Sequence, residues 1–243
     1  MPGAPEVLFT CEHGGNDVPP EYRALFAGSQ AALHSHNGYD AGALALARTL
    51  SRELNAPLIA SEVSRLLVDL NRSQGHRGLF SDVTMDLPPR ERRRILEAYY
   101  LPHRAAVAQA VAANRTTGKA TLHVAVHTFT PVLRGKVRAV DAGLLYDPAR
   151  AGERDFCTRW QEILRQLSPD LAVRRNAPYK GASDGLATWL RGVHPESAYQ
   201  GVELEVNQKF LETSPAWETL CARLSQSLRA AIGAHWLPRP GQG

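Results

Sequence analysis

The chain has 243 residues, of which 44% are hydrophobic and 21% charged. That is the composition of a globular protein with a sizeable core, and one domain over residues 1–243 is the expected organisation. No run of about 18 apolar residues occurs, so no transmembrane helix is expected. The opening Met1-Pro2-Gly3-Ala4-Pro5-Glu6 lacks the basic-then-apolar pattern of a signal peptide. Cys11, Cys157 and Cys221 are few, odd in number and far apart. They fit reduced thiols in the cytoplasm and argue against a cysteine-held zinc. The net charge of +4 admits nucleic acid or a small anion as partner. The densest basic run, Arg90-Glu91-Arg92-Arg93-Arg94, opens a helical pattern and reads as a solvated face. No nucleic-acid motif accompanies it, and neither nucleic acid nor a membrane is an expected partner.

In chain order, Val7-Leu8-Phe9 predicts a buried strand that ends in Cys11-Glu12-His13-Gly14-Gly15-Asn16. Residues 40–55 predict a helix, with Ala43, Leu46, Ala47, Leu50 and Leu54 at helical spacing and Asp40 capping the first turn. Residues 58–60 and 66–68 read as strands. A helix kinked near Pro102 is expected from about residue 89 to 114, with Gly118 ending it. Residues 121–126, 143–146, 171–173 and 201–206 read as strands, 150–167 as a helix and 176–184 as a loop. Ser214 and Pro215 predict the N-cap and first position of a last helix running to about residue 232. The alternation predicts an α/β fold with a mostly parallel, doubly wound sheet. Ligands in such sheets bind at the carboxyl ends of the strands.

Four predicted strand ends carry reactive side chains. His13 follows the first. Ser64-Arg65-Leu66-Leu67-Val68-Asp69-Leu70-Asn71-Arg72 brackets an apolar core with two arginines, which suit carboxylate recognition or a developing oxyanion. An Arg–Asp pair tying this segment together is the alternative. His127 ends the strand His123-Val124-Ala125-Val126-His127, and His123, back at its start, reads as structural. Glu203 and Glu205 share one face of an otherwise buried strand, where a carboxylate is costly unless paired, metal-bound or functional. Two histidines and a carboxylate form a zinc site whose fourth position stays open. Asp40 is the preferred carboxylate and Glu12 the second choice, since side chains adjacent on a strand end point apart.

The segments Cys11-Glu12-His13-Gly14-Gly15-Asn16, Tyr39-Asp40-Ala41-Gly42-Ala43, Ser64 to Arg72, His127-Thr128 and Leu204-Glu205-Val206-Asn207 resemble, in order, those of N-formylglutamate amidohydrolases. The resemblance spans Cys11 to about Phe210. It implies a three-layer α/β/α fold with a central mixed, mostly parallel sheet, like that of zinc carboxypeptidases and aspartoacylase. It implies one Zn2+ held by His13, Asp40 and His127. Asn16 stands where the carboxypeptidase pattern has its acidic ligand, so the carboxylate comes from Asp40. Arg65 would polarise the scissile carbonyl, Glu205 would activate water, and Asn71 and Arg72 would hold a substrate carboxylate. Asn176, Pro178, Tyr179 and Gly181 resemble a loop that flanks the substrate, and Glu203 has no counterpart.

The expected reaction is zinc-dependent hydrolysis of an N-acyl amino acid, N-formyl-L-glutamate first. The competing readings are a zinc deacylase or peptidase for other acyl groups, a Cys11 nucleophile with His13 as its base, and a non-enzymatic binding protein. Two histidines and a carboxylate also suit iron, manganese or cobalt.

Overall fold

Eight strands and seven α-helices carry the fold in the computed structural model, which describes residues 5–236. Residues 1–4, part of the segment read for a signal peptide, lie outside the described residues. The strands are β1 (Glu6–Cys11), β2 (Leu58–Ala60), β3 (Thr121–Phe129), β4 (Val132–Leu133), β5 (Lys136–Val137), β6 (Ala142–Leu145), β7 (Val173–Arg175) and β8 (Tyr199–Asn207). The helices are α1 (Gln30–Leu33), α2 (Ala43–Leu54), α3 (Pro89–Ile95), α4 (Leu101–Thr116), α5 (Ala151–Leu167), α6 (Leu186–Val193) and α7 (Ser214–Trp236).

Six strands form one sheet in the order β2-β1-β3-β8-β6-β7, while β4 and β5 make a separate hairpin. All neighbours in the large sheet run parallel except β6 and β8, which are antiparallel. The sheet is therefore mixed and mostly parallel, as expected. No described helix is long and apolar enough to cross a membrane.

Strand alternation divides the core. Leu122, Val124 and Val126 of β3, with Val202, Leu204 and Val206 of β8, pack against α2, α5 and α7. Leu8 and Tyr199 pack on the opposite face against Val107 and Val111 of α4 and Leu186 and Leu190 of α6. Each fully buried side chain of this size contributes about 1.5–3 kcal/mol of transfer free energy. The odd-numbered residues of β3 and β8 share the α4/α6 face, and the parallel register places His127 directly beside Glu205 and Ala125 beside Glu203. Both His127 and Glu205 thus emerge together near the carboxyl end of β3.

The apolar run at residues 66–68 is not a strand. Leu67, Val68 and Leu70 are buried in a second cluster with Tyr22, Phe26, Leu79, Ile95 and Tyr100, built largely from loops. Turn bonds hold the backbone there: Leu67 N–H donates to the Ser64 carbonyl, Thr84 Oγ1 to the Leu67 carbonyl, and Asp69 N–H to the Leu79 carbonyl. Burial alone does not distinguish a strand from a buried loop in so short a run.

Helix α2 starts at Ala43, not at residue 40, and its N-cap is Gly42 with φ 82°. Asp40 does not cap it, because its carboxylate faces two histidines and an arginine. The bend expected at Pro102 is a π-turn over Leu96–Tyr100, in which Leu101 N–H reaches back to the Leu96 carbonyl. The wider turn sits just before the residue that has no N–H to give. The strand expected at 171–173 lies at Val173–Arg175, and α7 begins at Ser214 itself, with Pro215 second.

His123 is wholly buried, with Nε2 2.8 Å from Thr10 Oγ1 and Nδ1 2.7 Å from the Tyr199 hydroxyl. It is structural, as expected. Burial drives its pKa from 6.5 down to about 4. The unfolded chain then binds the proton first as pH falls. The stability gained by keeping this ring neutral is complete above pH ~6.5 and is lost by about 3 kcal/mol on approaching pH ~4. Urea melts between pH 7 and pH 4.5 should show a shallower loss for His123→Gln than for wild type. Parallel curves would mean that His123 does not carry this pH dependence.

Candidate metal and substrate site

The Gly14-Gly15 turn leaves β1 tight against the chain just beyond β2. A Cβ on Gly15 would lie 2.4 Å from the Glu62 carbonyl oxygen, so only glycine allows this approach. The turn places His13 under the segment that returns to Asp40, whose N–H donates to the His13 carbonyl at 2.9 Å. Asn16, where the wider pattern has an acid, is turned away and donates to the Leu33 carbonyl.

Asp40 Oδ2 lies 3.3 Å from His13 Nδ1 and 3.0 Å from His127 Nδ1. All three side chains are buried, and their donor atoms lie within 4.8 Å of one another. Ligand atoms around tetrahedral zinc stand about 3.3 Å apart, given bonds of roughly 2.0–2.1 Å. The other nitrogen of each ring faces a carboxylate. His13 Nε2 is 2.7 Å from Asp69 Oδ1, and His127 Nε2 is 3.2 Å from Glu12 Oε2. A carboxylate behind a ring fixes its tautomer and frees the opposite nitrogen as a ligand. The donor set, its spacing and its outer partners therefore fit a divalent metal. Asp40, not Glu12, stands between the two histidines.

Charge is tightly paired here. Burial opposes ionisation of Asp40, yet Arg65 and His13 hold its carboxyl well below the usual range. Burial likewise opposes a charged His127, but Asp40 and Glu12 push its pKa well above the ordinary value. Such a site attracts positive charge. Cys11 is the opposite case. Burial, with Glu12 and Asp40 nearby, pushes its thiol well up, which leaves it a poor nucleophile.

A cavity of about 270 Å³ opens beside these groups, lined by His13, Asp40, Arg65, Asn71, Arg72, His127, Tyr179 and Glu205, while Glu12, Asn176, Pro178 and Gly181 lie outside its lining. Arg65 is held by Asp40 Oδ1 at 3.0 Å and Asp69 Oδ2 at 3.4 Å, so the Arg–Asp tie and the cavity position coexist. Arg72 donates to the Asp184 carbonyl at 3.0 Å and is about one-third exposed. Asn71 Oδ1 accepts from Leu186 N–H at 2.7 Å, which leaves its amide donors for the cavity. The Tyr179 hydroxyl accepts from Arg138 at 2.9 Å on the rim.

Glu205 is buried, its Oε2 has no hydrogen-bond partner, and burial raises its carboxyl to about 8. Gly143, its register partner on β6, lets the 176–184 loop cross close above: a Cβ there would lie 2.1 Å from the Ala177 carbonyl oxygen. Glu203 also lines the cavity, and burial raises its carboxyl too. His36, which sequence reasoning passed over, lines the cavity as well and sits 3.4 Å from Asp40 Oδ1. The roles of Asp69 and Glu12 behind the histidines were also missed, since no spacing rule links them to their partners.

The sequence matches the N-formylglutamate amidohydrolase family over residues 5–211. Among solved structures it is similar to the gene product Atu2144 from Agrobacterium tumefaciens, with 28% identity, a TM-score of 0.82, and 96% of this chain and 92% of that chain covered. It also resembles the N-formylglutamate amidohydrolase from Ralstonia eutropha JMP134, with 20% identity, a TM-score of 0.69, and 95% of each chain covered. No curated protein matches the sequence. With most of its length inside the family match, and with a fold shared along nearly the whole chain, this protein belongs to the N-formylglutamate amidohydrolase family and is a hydrolase of amide bonds.

Proposed function

We propose that this enzyme hydrolyses the amide of an N-acyl amino acid, N-formyl-L-glutamate first among them, with one Zn2+ held by His13 Nδ1, Asp40 Oδ2 and His127 Nδ1. The observation that carries the reading is the convergence of this donor set, an unpartnered Glu205 carboxyl and two arginines on one cavity. When bound, the metal would supply a Lewis acid and a water acidified to a pKa of roughly 7.

The remaining chemistry belongs to the chain. Glu205, poised near neutrality, takes a proton from the attacking water and returns it to the leaving amine nitrogen. Arg65, already fixed by Asp40 and Asp69, turns its remaining N–H groups to the carbonyl oxygen as negative charge develops there. Arg72 and Asn71 hold a substrate carboxylate. Tyr179, steadied by Arg138, flanks the substrate at the rim. A cavity of about 270 Å³ suits a small acyl amino acid better than a long peptide.

The deciding experiment is metal analysis of the purified protein, followed by formylglutamate, acetylglutamate and succinylglutamate turnover before and after chelation. We expect about one equivalent of zinc, chelator-sensitive formate release and preference for the formyl substrate. Preference for a larger acyl group would favour the deacylase reading, and full activity without metal would end the zinc reading. Glu205→Gln should keep its metal and lose about 10²–10⁴-fold in kcat, the range of a general acid–base group. Wild-type turnover in that variant would remove Glu205 from the proton path. His13→Ala and His127→Ala should each be purified without metal, and full occupancy in either would strike that residue from the ligand set.

A further inference from the structure

One buried carboxylate takes no part in the proposed reaction. Glu12 is completely buried. Its Oε2 lies 3.2 Å from His127 Nε2, an ion-pair distance whose angles fall short of a hydrogen bond, and its Oε1 3.5 Å from His103 Nε2. His103 belongs to α4, the helix that covers this face of the sheet, and is itself buried. Glu12 is therefore wedged between an imidazole from β3 and one from the covering helix. An ionised carboxylate in such a place is tolerated only where both oxygens meet donors.

We infer that Glu12 is a positioning residue for the metal site: it accepts the Nε2 proton of His127, turns the Nδ1 lone pair toward Asp40 and His13, and is in turn held in place by His103. The inference rests on the reading of His127 as a metal ligand and assigns the reason for its ring orientation. The ring could otherwise carry its proton on Nδ1, since a neutral imidazole exists in two tautomers, and that nitrogen would then have no lone pair for a metal. Only the form with the proton on Nε2 leaves Nδ1, 3.0 Å from Asp40 Oδ2, free to complete the donor set. The arrangement makes α4 part of the centre, although no residue of α4 lines the cavity. His13 has a matching support in Asp69, so each ring is fixed from behind by a separate carboxylate.

The test compares wild type, Glu12→Gln and His103→Gln by competition for Zn2+ against a chelating dye and by the visible spectrum of the Co2+-loaded proteins. Glu12→Gln keeps the shape but offers an amide that can present its N–H2 to His127 and so favour the other tautomer. We expect zinc affinity to fall by about 10–100-fold, the usual cost of losing such a support, with a changed Co2+ spectrum. His103→Gln should show a smaller loss in the same direction. Melting of the metal-free proteins by circular dichroism separates a folding defect from a ligand defect. Zinc affinity and Co2+ spectrum equal to wild type in a folded Glu12→Gln protein would overturn the inference. Failure of wild type itself to bind Zn2+ would instead overturn the metal reading on which it rests.

Discussion

The Asp40 carboxylate is the joint on which the site turns. It comes from the loop before α2, it is buried, and it meets His13 from the turn after β1, His127 from β3 and Arg65 from the long 61–88 connection. A buried carboxylate is sustained only by such a set of partners. Each partner comes from a different part of the chain. The carboxylate can be satisfied only when the strand pairing, the glycine turn and the second hydrophobic cluster have all formed. The same contacts that make its burial tolerable also bring together the donor atoms that fit a metal.

Two kinds of scaffold meet in the cavity. His127 and Glu205 stand on adjacent central strands whose spacing is set by the backbone ladder. Arg65, Asn71 and Arg72 stand on irregular backbone. That segment is ordered because Leu67, Val68 and Leu70 are buried beneath it and because Tyr100 and Arg104 bind the Arg72 carbonyl. The apolar residues between the two arginines thus act as an anchor, which explains why a loop carries such a strand-like sequence.

Much of this was legible in the residues alone. Alternation in 121–126 and 201–206 exposed the central strands, and polar groups where an apolar residue belongs marked His127 and Glu205. The eight residues expected at the site do line one cavity. What escaped was tertiary in origin. Asp40 looked like a helix cap because a carboxylate before an amphipathic run has that local meaning, while its partners lie 27 and 87 positions away. Residues 66–68 looked like a strand because periodicity cannot separate a buried loop from a short strand. Asp69 stands 56 positions from His13, and His103 stands 91 from Glu12, so neither pairing leaves a local trace.

The parallel register of β3 and β8 has a consequence for how such an enzyme can diversify. The Glu205 carboxyl and His127 are fixed relative to each other by main-chain hydrogen bonds, which no side-chain exchange in the loops disturbs. The groups that would grip the substrate sit on the 64–72 and 176–184 loops. The sheet thus fixes the His127–Glu205 pair, while Arg65 and the groups at the cavity mouth are set by loops. A designer could vary the 176–184 loop to seek new acyl or amino-acid preferences while keeping the strand-borne His127 and Glu205 and the 64–72 segment that carries Arg65 and Asp69.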